Sequence, residues 1–184
     1  MHYILHGDAT DLRSFEPGRP KLLAHVCNDQ GLWGAGFSGA LSARWKEPEI
    51  QYRHCTPRMG DVQFVGVEGR TVVANMVAQH GVRRCYGDNP QRIYVNKQMR
   101  LDRSIGVPAF AVIPGERPPL RYSALVRCME QVGLHAWNHT ADIHCPQFGC
   151  GLAGGDWNTI LLLILELWVD KLPNTDTYVY EKGH

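Results

Sequence analysis

Two short stretches of this chain carry glycines at a spacing that suits the binding of an anion. The first is Asn28-Asp29-Gln30-Gly31-Leu32-Trp33-Gly34-Ala35-Gly36-Phe37-Ser38-Gly39; the second is Gln147-Phe148-Gly149-Cys150-Gly151-Leu152-Ala153-Gly154-Gly155-Asp156-Trp157. Eight of the 19 glycines fall within them, where an even spread would put about two. Glycine lets the backbone adopt φ > 0 and bring N–H groups close to an anion. A helix following such a turn adds its unpaired N–H groups and the positive end of its dipole. One such turn is most often just a tight connection; two together suggest a diphosphate gripped from both sides. Gly149-x-Gly151-x-x-Gly154 also matches the dinucleotide fingerprint as a string, but too little chain follows it to complete a Rossmann domain. No Gly-x-x-x-x-Gly-Lys-Ser/Thr occurs, which argues against a Walker-type nucleoside triphosphatase. The pattern by itself supports an α/β domain that binds a nucleoside diphosphate.

Each loop needs a strand before it and a helix after it. The compact apolar run 21–26 reads as a strand leading into the first loop, and 34–45 as a small-faced helix that Pro48 stops. Residues 61–67 and 71–77 are β-branched runs around Glu68-Gly69-Arg70 and read as a hairpin. Residues 122–135 show helical spacing in Leu125, Met129 and Val132. A strand at 141–146 then leads into the second loop, a strongly apolar helix at 156–170 follows it, and strands at 2–5 and 177–180 complete the set. The alternation predicts an α/β sandwich with a mixed, mostly parallel central sheet. Residues 83–119 interrupt it with Pro90, Pro108, Pro114, Pro118 and Pro119 and several arginines, and read as a long loop insertion.

Composition narrows the function classes. At 184 residues, 44% hydrophobic and 20% charged, the chain is expected to fold as one soluble domain with a sizeable core. A formal charge of +1 argues against a broad nucleic-acid or anionic-membrane footprint. The start of the chain lacks the basic residues and apolar run of a secretory signal. The run 160–169, interrupted by Glu166, has about half the length of a membrane span. The six cysteines contain no Cys-x-x-Cys, and the histidines form no His-Glu-x-x-His, so no metal site or cofactor is expected. A cytoplasmic, reduced, monomeric protein is the expectation.

Four segments in order resemble a macrodomain, the ADP-ribose-binding fold, whose sheet lies in a three-layer α/β/α sandwich. Gly7-Asp8-Ala9-Thr10 is similar to the family's Gly-Asp-Ile-Thr, and 25–36 to its first binding loop. Pro146-Gln147-Phe148-Gly149-Cys150-Gly151-Leu152, with Trp157 following, is similar to its second loop, and Val179-Tyr180 to its closing strand. The loops look most like the branch of the terminal-ADP-ribose glycohydrolase and the yeast-type ADP-ribose-1″-phosphate phosphatase. The resemblance covers residues 2–180 apart from the insertion. It implies that Asp8, with Ala9, accepts a hydrogen bond from the adenine amino group and that Tyr180 stacks near adenine. It further implies that Gly149, Cys150, Gly151, Leu152 and Ala153 offer backbone N–H groups to the diphosphate beside Phe148. Asn28, Trp33, Gly34, Ala35 and Gly36 would then surround the distal ribose. Simpler roles exist for several: a turn or cap for Asp8, core packing for Tyr180 and Phe148, and a small backbone-supplying residue for Cys150.

Where that branch pairs a lysine with an aspartate, this chain carries Gln79 and Ala153, and glutamine cannot form a covalent amine adduct with an opened ribose. Asp156, three residues on, reads as a helix N-cap or a displaced acid/base. His25 matches a histidine of the phosphatase-like relative and reads as a proton-handling group or as a buried strand histidine; His80 is a further candidate. The resemblance implies a hydrolase that removes ADP-ribose from acidic side chains of ADP-ribosylated protein, or from a small derivative, with water positioned by Asn28. The alternatives are a reader that binds ADP-ribose without cleaving it, and a hydrolase of ADP-ribosylated nucleic acid whose insertion arginines (Arg83, Arg84, Arg92, Arg100, Arg103) meet phosphates.

Overall fold

The structure is a computed structural model and describes residues 1–34, 36–81, 118–151 and 153–181. Ala35, Leu152, the five insertion arginines and most of the expected 83–119 insertion therefore lie outside the described residues. Six strands form one sheet: β1 (His2–His6), β2 (Lys21–Asn28), β3 (Val62–Gly66), β4 (Thr71–Gln79), β5 (Asp142–Pro146) and β6 (Thr177–Glu181), in the order β1-β6-β5-β2-β4-β3. Every pairing is parallel except the β3–β4 hairpin. The mixed, mostly parallel sheet expected from the alternation is the one observed.

Parallel strands covered on both faces should be apolar almost throughout. Central β2 is: Leu22, Leu23 and Ala24 are fully buried. On one face lie α3 (Tyr122–His139) and α4 (Trp157–Ile164), the latter running on into a π-helical turn over Leu165–Val169. Leu125, Met129 and Val132 of α3 and Ile160 and Ile164 of α4 meet Leu22, Ala24, Met76 and Ile143 there. The other face is covered by α1 (Phe37–Arg44), where Leu41 packs on Leu23, Val73 and Tyr178, and by α2 (Glu47–His54), where Tyr52 packs on Cys27 and Val77. The result is a three-layer α/β/α sandwich.

One element departs from the sequence reading. Pro48 was expected to stop a helix begun at Gly34, but α1 starts at Phe37 and ends at Arg44, and Pro48 stands in the first turn of a separate helix, α2. Proline is well tolerated there, because its missing N–H would have had no intrahelical partner. The polar sequence of α2 hides its helical periodicity, and only Pro48 and Tyr52 of it are buried.

Candidate functional site

Because β1, β6, β5, β2 and β4 run parallel, their carboxyl ends share one edge of the sheet. Along it lie Gly7-Asp8 after β1, Glu181 of β6, the 147–155 loop after β5, the 29–36 loop after β2 and His80-Gly81 after β4. β2 and β5 are neighbours, yet the chain leaves β2 for α1 on one face and leaves β5 for α4 on the other. Such a reversal opens a crevice at the strand ends, the usual ligand position in an α/β sheet. Both glycine loops border it.

Asn28 shapes the first loop. Its Oδ1 accepts from the N–H groups of Gln30 (2.9 Å) and Leu32 (3.0 Å), and its Nδ2 donates to the Leu32 carbonyl (2.6 Å). The Tyr52 hydroxyl donates to the Asn28 carbonyl from below. Gly31, Gly34 and Gly36 all take positive φ, at 70°, 107° and 63°; Gly34 and Gly36 are exposed on the edge. Trp33 is anchored by its Nε1 donating to Ser42 Oγ (2.6 Å) and lies edge-on to His25.

In the second loop Gly149 has φ 76° and Gly154 φ 66°. The loop closes through Gly155 N–H to the Gly149 carbonyl (2.8 Å) and Gly154 N–H to the Gly151 carbonyl (2.9 Å). Residues 118–121 brace it: Leu120 N–H donates to the Ala153 carbonyl, and Leu120 pairs with Gln79. Gly151 is exposed at the loop tip. Burial raises the Cys150 thiol above its ordinary range, and its Sγ lies 3.4 Å from the Gln147 carbonyl, so the thiolate needed of a nucleophile is disfavoured.

Sequence alone matches the chain to no protein-family model and to no curated protein. Among solved structures, a macrodomain protein from Streptomyces coelicolor is 30% identical, with 100% of each chain covered and a TM-score of 0.70. The chain belongs to the macrodomain family. A Bacteroides thetaiotaomicron protein of unknown function is 33% identical to this macrodomain over 98% of each chain, with a TM-score of 0.74. At 11% identity, the structure of Thermosipho africanus DarTG in complex with ADP-ribose shares the fold, with a TM-score of 0.61; 89% of this chain and 38% of that one are covered.

Several site residues expected from this macrodomain's sequence occupy different surroundings from those anticipated. His25 is 1% exposed, its Nε2 2.7 Å from Asn75 Oδ1, and burial pushes its pKa down to about 4 despite that hydrogen bond. Asn75 Nδ2 already donates to the Pro48 carbonyl and to Gln63 Oε1, so Oδ1 is the acceptor and Nε2 carries the proton. His25 is thus a neutral prop beneath Trp33 and Phe37, not a group lining the crevice. Tyr180 is 2% exposed, and its hydroxyl accepts from Arg13 N–H (2.8 Å) and lies 3.1 Å from His144 Nδ1. Its ring packs with Tyr178 and Leu23. Phe148 packs in the core against Trp168. Both rings are packed: Tyr180 alternates onto the α1 face of β6, and Phe148, in the loop after β5, turns into the core under α4.

Asp8 stays exposed, with Oδ1 accepting from Thr10 N–H (2.8 Å) and Oγ1 (2.9 Å). Ala9 is buried behind it. Gln79 is nearly buried and donates from Nε2 to the Gly81 carbonyl. Among the described residues no group of three His, Cys, Asp or Glu is arranged to hold a metal ion, and no helix is long and apolar enough to cross a membrane.

Asp156 is the N-cap of α4: its Oδ2 accepts from Thr159 N–H and Oγ1, each at 2.7 Å. These bonds hold its carboxyl below the usual carboxylate range. The acid/base reading of Asp156 gives way to capping, and the amino end of α4 is already neutralised by its own side chain. An Asp156→Ala variant is expected to melt slightly earlier while leaving the crevice unaltered. Since the native carboxyl titrates lower than the unfolded one, the gap to wild type should close as the pH falls through the native value. Thermal melts of both proteins across an acid series check this; a constant gap contradicts it.

Sequence reasoning named His80 as a candidate but not its partner. Asp29, Gly81 and His80 form a latch joining the first loop to the end of β4. Asp29 Oδ1 accepts from Gly81 N–H (2.9 Å), Oδ2 lies 2.7 Å from His80 Nδ1, and Asp29 N–H donates to the Gln79 carbonyl (3.0 Å). The partners are about fifty positions apart, so no local pattern announces them.

Proposed function

We propose that this macrodomain binds ADP-ribose along the carboxyl edge of its sheet and hydrolyses the ester joining it to acidic side chains of proteins. The observation that carries the reading is the pair of glycine loops on neighbouring strands whose chains depart to opposite faces. A diphosphate in that crevice meets backbone N–H groups from both sides, which requires no surplus of basic residues. Asp8 then stands at the β1 end, where a carboxylate accepts from an adenine amino group, and the first loop stands at the ribose end. The ADP-ribose complex of Thermosipho africanus DarTG, on the same fold, supports the choice of ligand. An acyl-ribose ester is labile, so positioning and electrostatic stabilisation go far without a strong base.

A non-catalytic reader is the second reading, favoured by Gln79 and Ala153 at the two positions where the resembled branch places lysine and aspartate. Titration calorimetry with ADP-ribose and a release assay on glutamate-linked ADP-ribosyl protein separate the two, with ADP-ribosyl-thymidine DNA as a third arm. Submicromolar to micromolar binding with release from protein is the expected result. Tight binding without turnover on any substrate hands the case to the reader; absence of binding sinks both.

Gly155 offers a direct test of the second loop. A Cβ there would overlap Leu120 Cδ2 and stand 2.8 Å from the Gly149 carbonyl oxygen, a backbone atom that cannot swing aside. Gly155→Ala is expected to cost about 1–3 kcal/mol of stability and to weaken ADP-ribose binding roughly tenfold, because the loop must open to admit the methyl. Binding and urea titrations matching wild type would dissociate the loop from the ligand.

A further inference from the structure

Resting on the hydrolase reading above, we infer that His80 is the general base of this macrodomain and that Asp29 positions it. The juxtaposition of Asp29 and His80 at the mouth of the crevice carries the inference. His80 follows the last residue of β4, and its side chain is 61% exposed, on the edge where the first glycine loop begins. Both oxygens of the Asp29 carboxylate are engaged, one by a fixed backbone N–H and the other by the imidazole. A carboxylate can only accept, so His80 Nδ1 carries a proton and Nε2 presents its lone pair outward. This is how a carboxylate holds an imidazole in the base-competent tautomer and stabilises the imidazolium that forms. The backbone is fixed as well, with His80 N–H donating to the Pro119 carbonyl and Asp29 N–H to the Gln79 carbonyl.

The other candidates near the crevice are otherwise occupied. His25 is buried and hydrogen-bonded below the loop, Asp156 caps α4, and Gln79 bonds to Gly81. Two imidazoles on this edge have an exposed ring and a carboxylate partner among the described residues: His6, whose Nδ1 lies 3.9 Å from Glu181 at the β1 end, and His80, which is at hydrogen-bonding distance, 2.7 Å, from Asp29 beside the first glycine loop.

In the step, His80 Nε2 takes a proton from a water molecule as the water oxygen bonds to the anomeric carbon of the distal ribose. The bond from that carbon to the ester oxygen breaks, and its electron pair leaves with the side-chain carboxylate. The products are ADP-ribose with a hydroxyl at the anomeric carbon, a free carboxylate, and an imidazolium that returns its proton to solvent. A carboxylate departs as an anion without help.

The experiment measures release from glutamate-linked ADP-ribosyl peptide by wild type, His80→Ala and Asp29→Asn, with ADP-ribose affinity read separately by calorimetry. For His80→Ala the expected result is a fall in kcat of about 100-fold or more, with ADP-ribose affinity near wild type and partial recovery on adding imidazole. Asp29→Asn should lower kcat with KM little changed, because it removes orientation and not binding. If wild type turns over and His80→Ala keeps its kcat, the base assignment is overturned and the hydrolase reading stands. If wild type binds ADP-ribose but releases nothing, the hydrolase reading fails and takes this inference with it.

Discussion

Between pH 7 and pH 5 the protein is expected to lose on the order of 3 kcal/mol of stability. The cause is a pair of buried neutral histidines on the α1 face of the sheet. Burial pushes His25 from its ordinary value of 6.5 to about 4 and His144 to about 3, the latter also repelled by Lys21. His144 is fully buried, stacked on Tyr178 with ring centroids 4.6 Å apart, and its Nε2 has no hydrogen-bond partner among the described residues. The sign follows from proton binding. Below about 6.5 the unfolded chain takes up protons at both histidines while the native chain does not, so acid favours unfolding. Stability is fully present above that value and drains away as the pH falls toward the native values. Urea unfolding at a series of pH values checks this. A His144→Phe variant, which keeps the stacking and removes the titration, should show roughly half the slope. A wild-type curve that is flat between pH 7 and pH 5 would refute the account. The consequence reaches the site, because His25 props Trp33 and Phe37 under the first glycine loop, and its protonation would unseat them.

Removing the Asp142 carboxylate is expected to have an effect of similar size. Asp142 is fully buried at the start of β5. Its Oδ1 accepts from Arg19 Nε (2.8 Å) and Asp176 N–H (3.2 Å), and its Oδ2 from Ser14 Oγ (3.3 Å). Arg19 also donates from Nη2 to the Asn174 carbonyl. One carboxylate therefore ties the segment between β1 and β2 to the turn before β6. Asp142→Ala leaves Arg19, itself only 19% exposed, with the exposed Glu16 carboxylate at 3.7 Å as its remaining charge partner. Breaking a buried ion pair costs about 3–5 kcal/mol, or roughly 10 °C in Tm for a chain of this size. In a double-mutant cycle with Arg19→Ala, the two losses should be strongly non-additive. A loss below about 1 kcal/mol for Asp142→Ala, or additive losses, would mean that solvent replaces the partner and that the segment is held otherwise. The segment includes Arg13 and Phe15, whose N–H groups donate to the hydroxyls of Tyr180 and Tyr178, and it follows directly on Asp8 and Ala9. Asp142→Ala should therefore weaken ADP-ribose binding as well.

Much of the fold could be read from local pattern. The central parallel strands β2 and β4 are mostly apolar, because both faces are covered, with His25 and Asn75 as buried polar exceptions, and glycines cluster in the loops after β2 and β5. Composition placed the chain among folded domains with a real core, and the two loops pointed to the end of the sheet where a ligand belongs. Polar α2 was not legible, because its contacts are two side chains against a strand distant in sequence. What the sequence could not show is how far each expected side chain is already bonded or packed. His25, Tyr180, Phe148 and Asp156 look chemically capable in a string of letters. Whether an imidazole, a phenol or a carboxylate can act depends on which face of the sheet it lands on and what already bonds to it. Sequence period says that Tyr178 and Tyr180 share a face; only the packing of α1 and the 8–19 segment buries both. The Asp29–His80 latch shows the same division from the other side. Two residues whose partnership has no local signal become a pair because parallel pairing in register brings the carboxyl ends of β2 and β4 side by side, and hydrogen bonding, a short-range force, acts only after the tertiary fold has closed that distance.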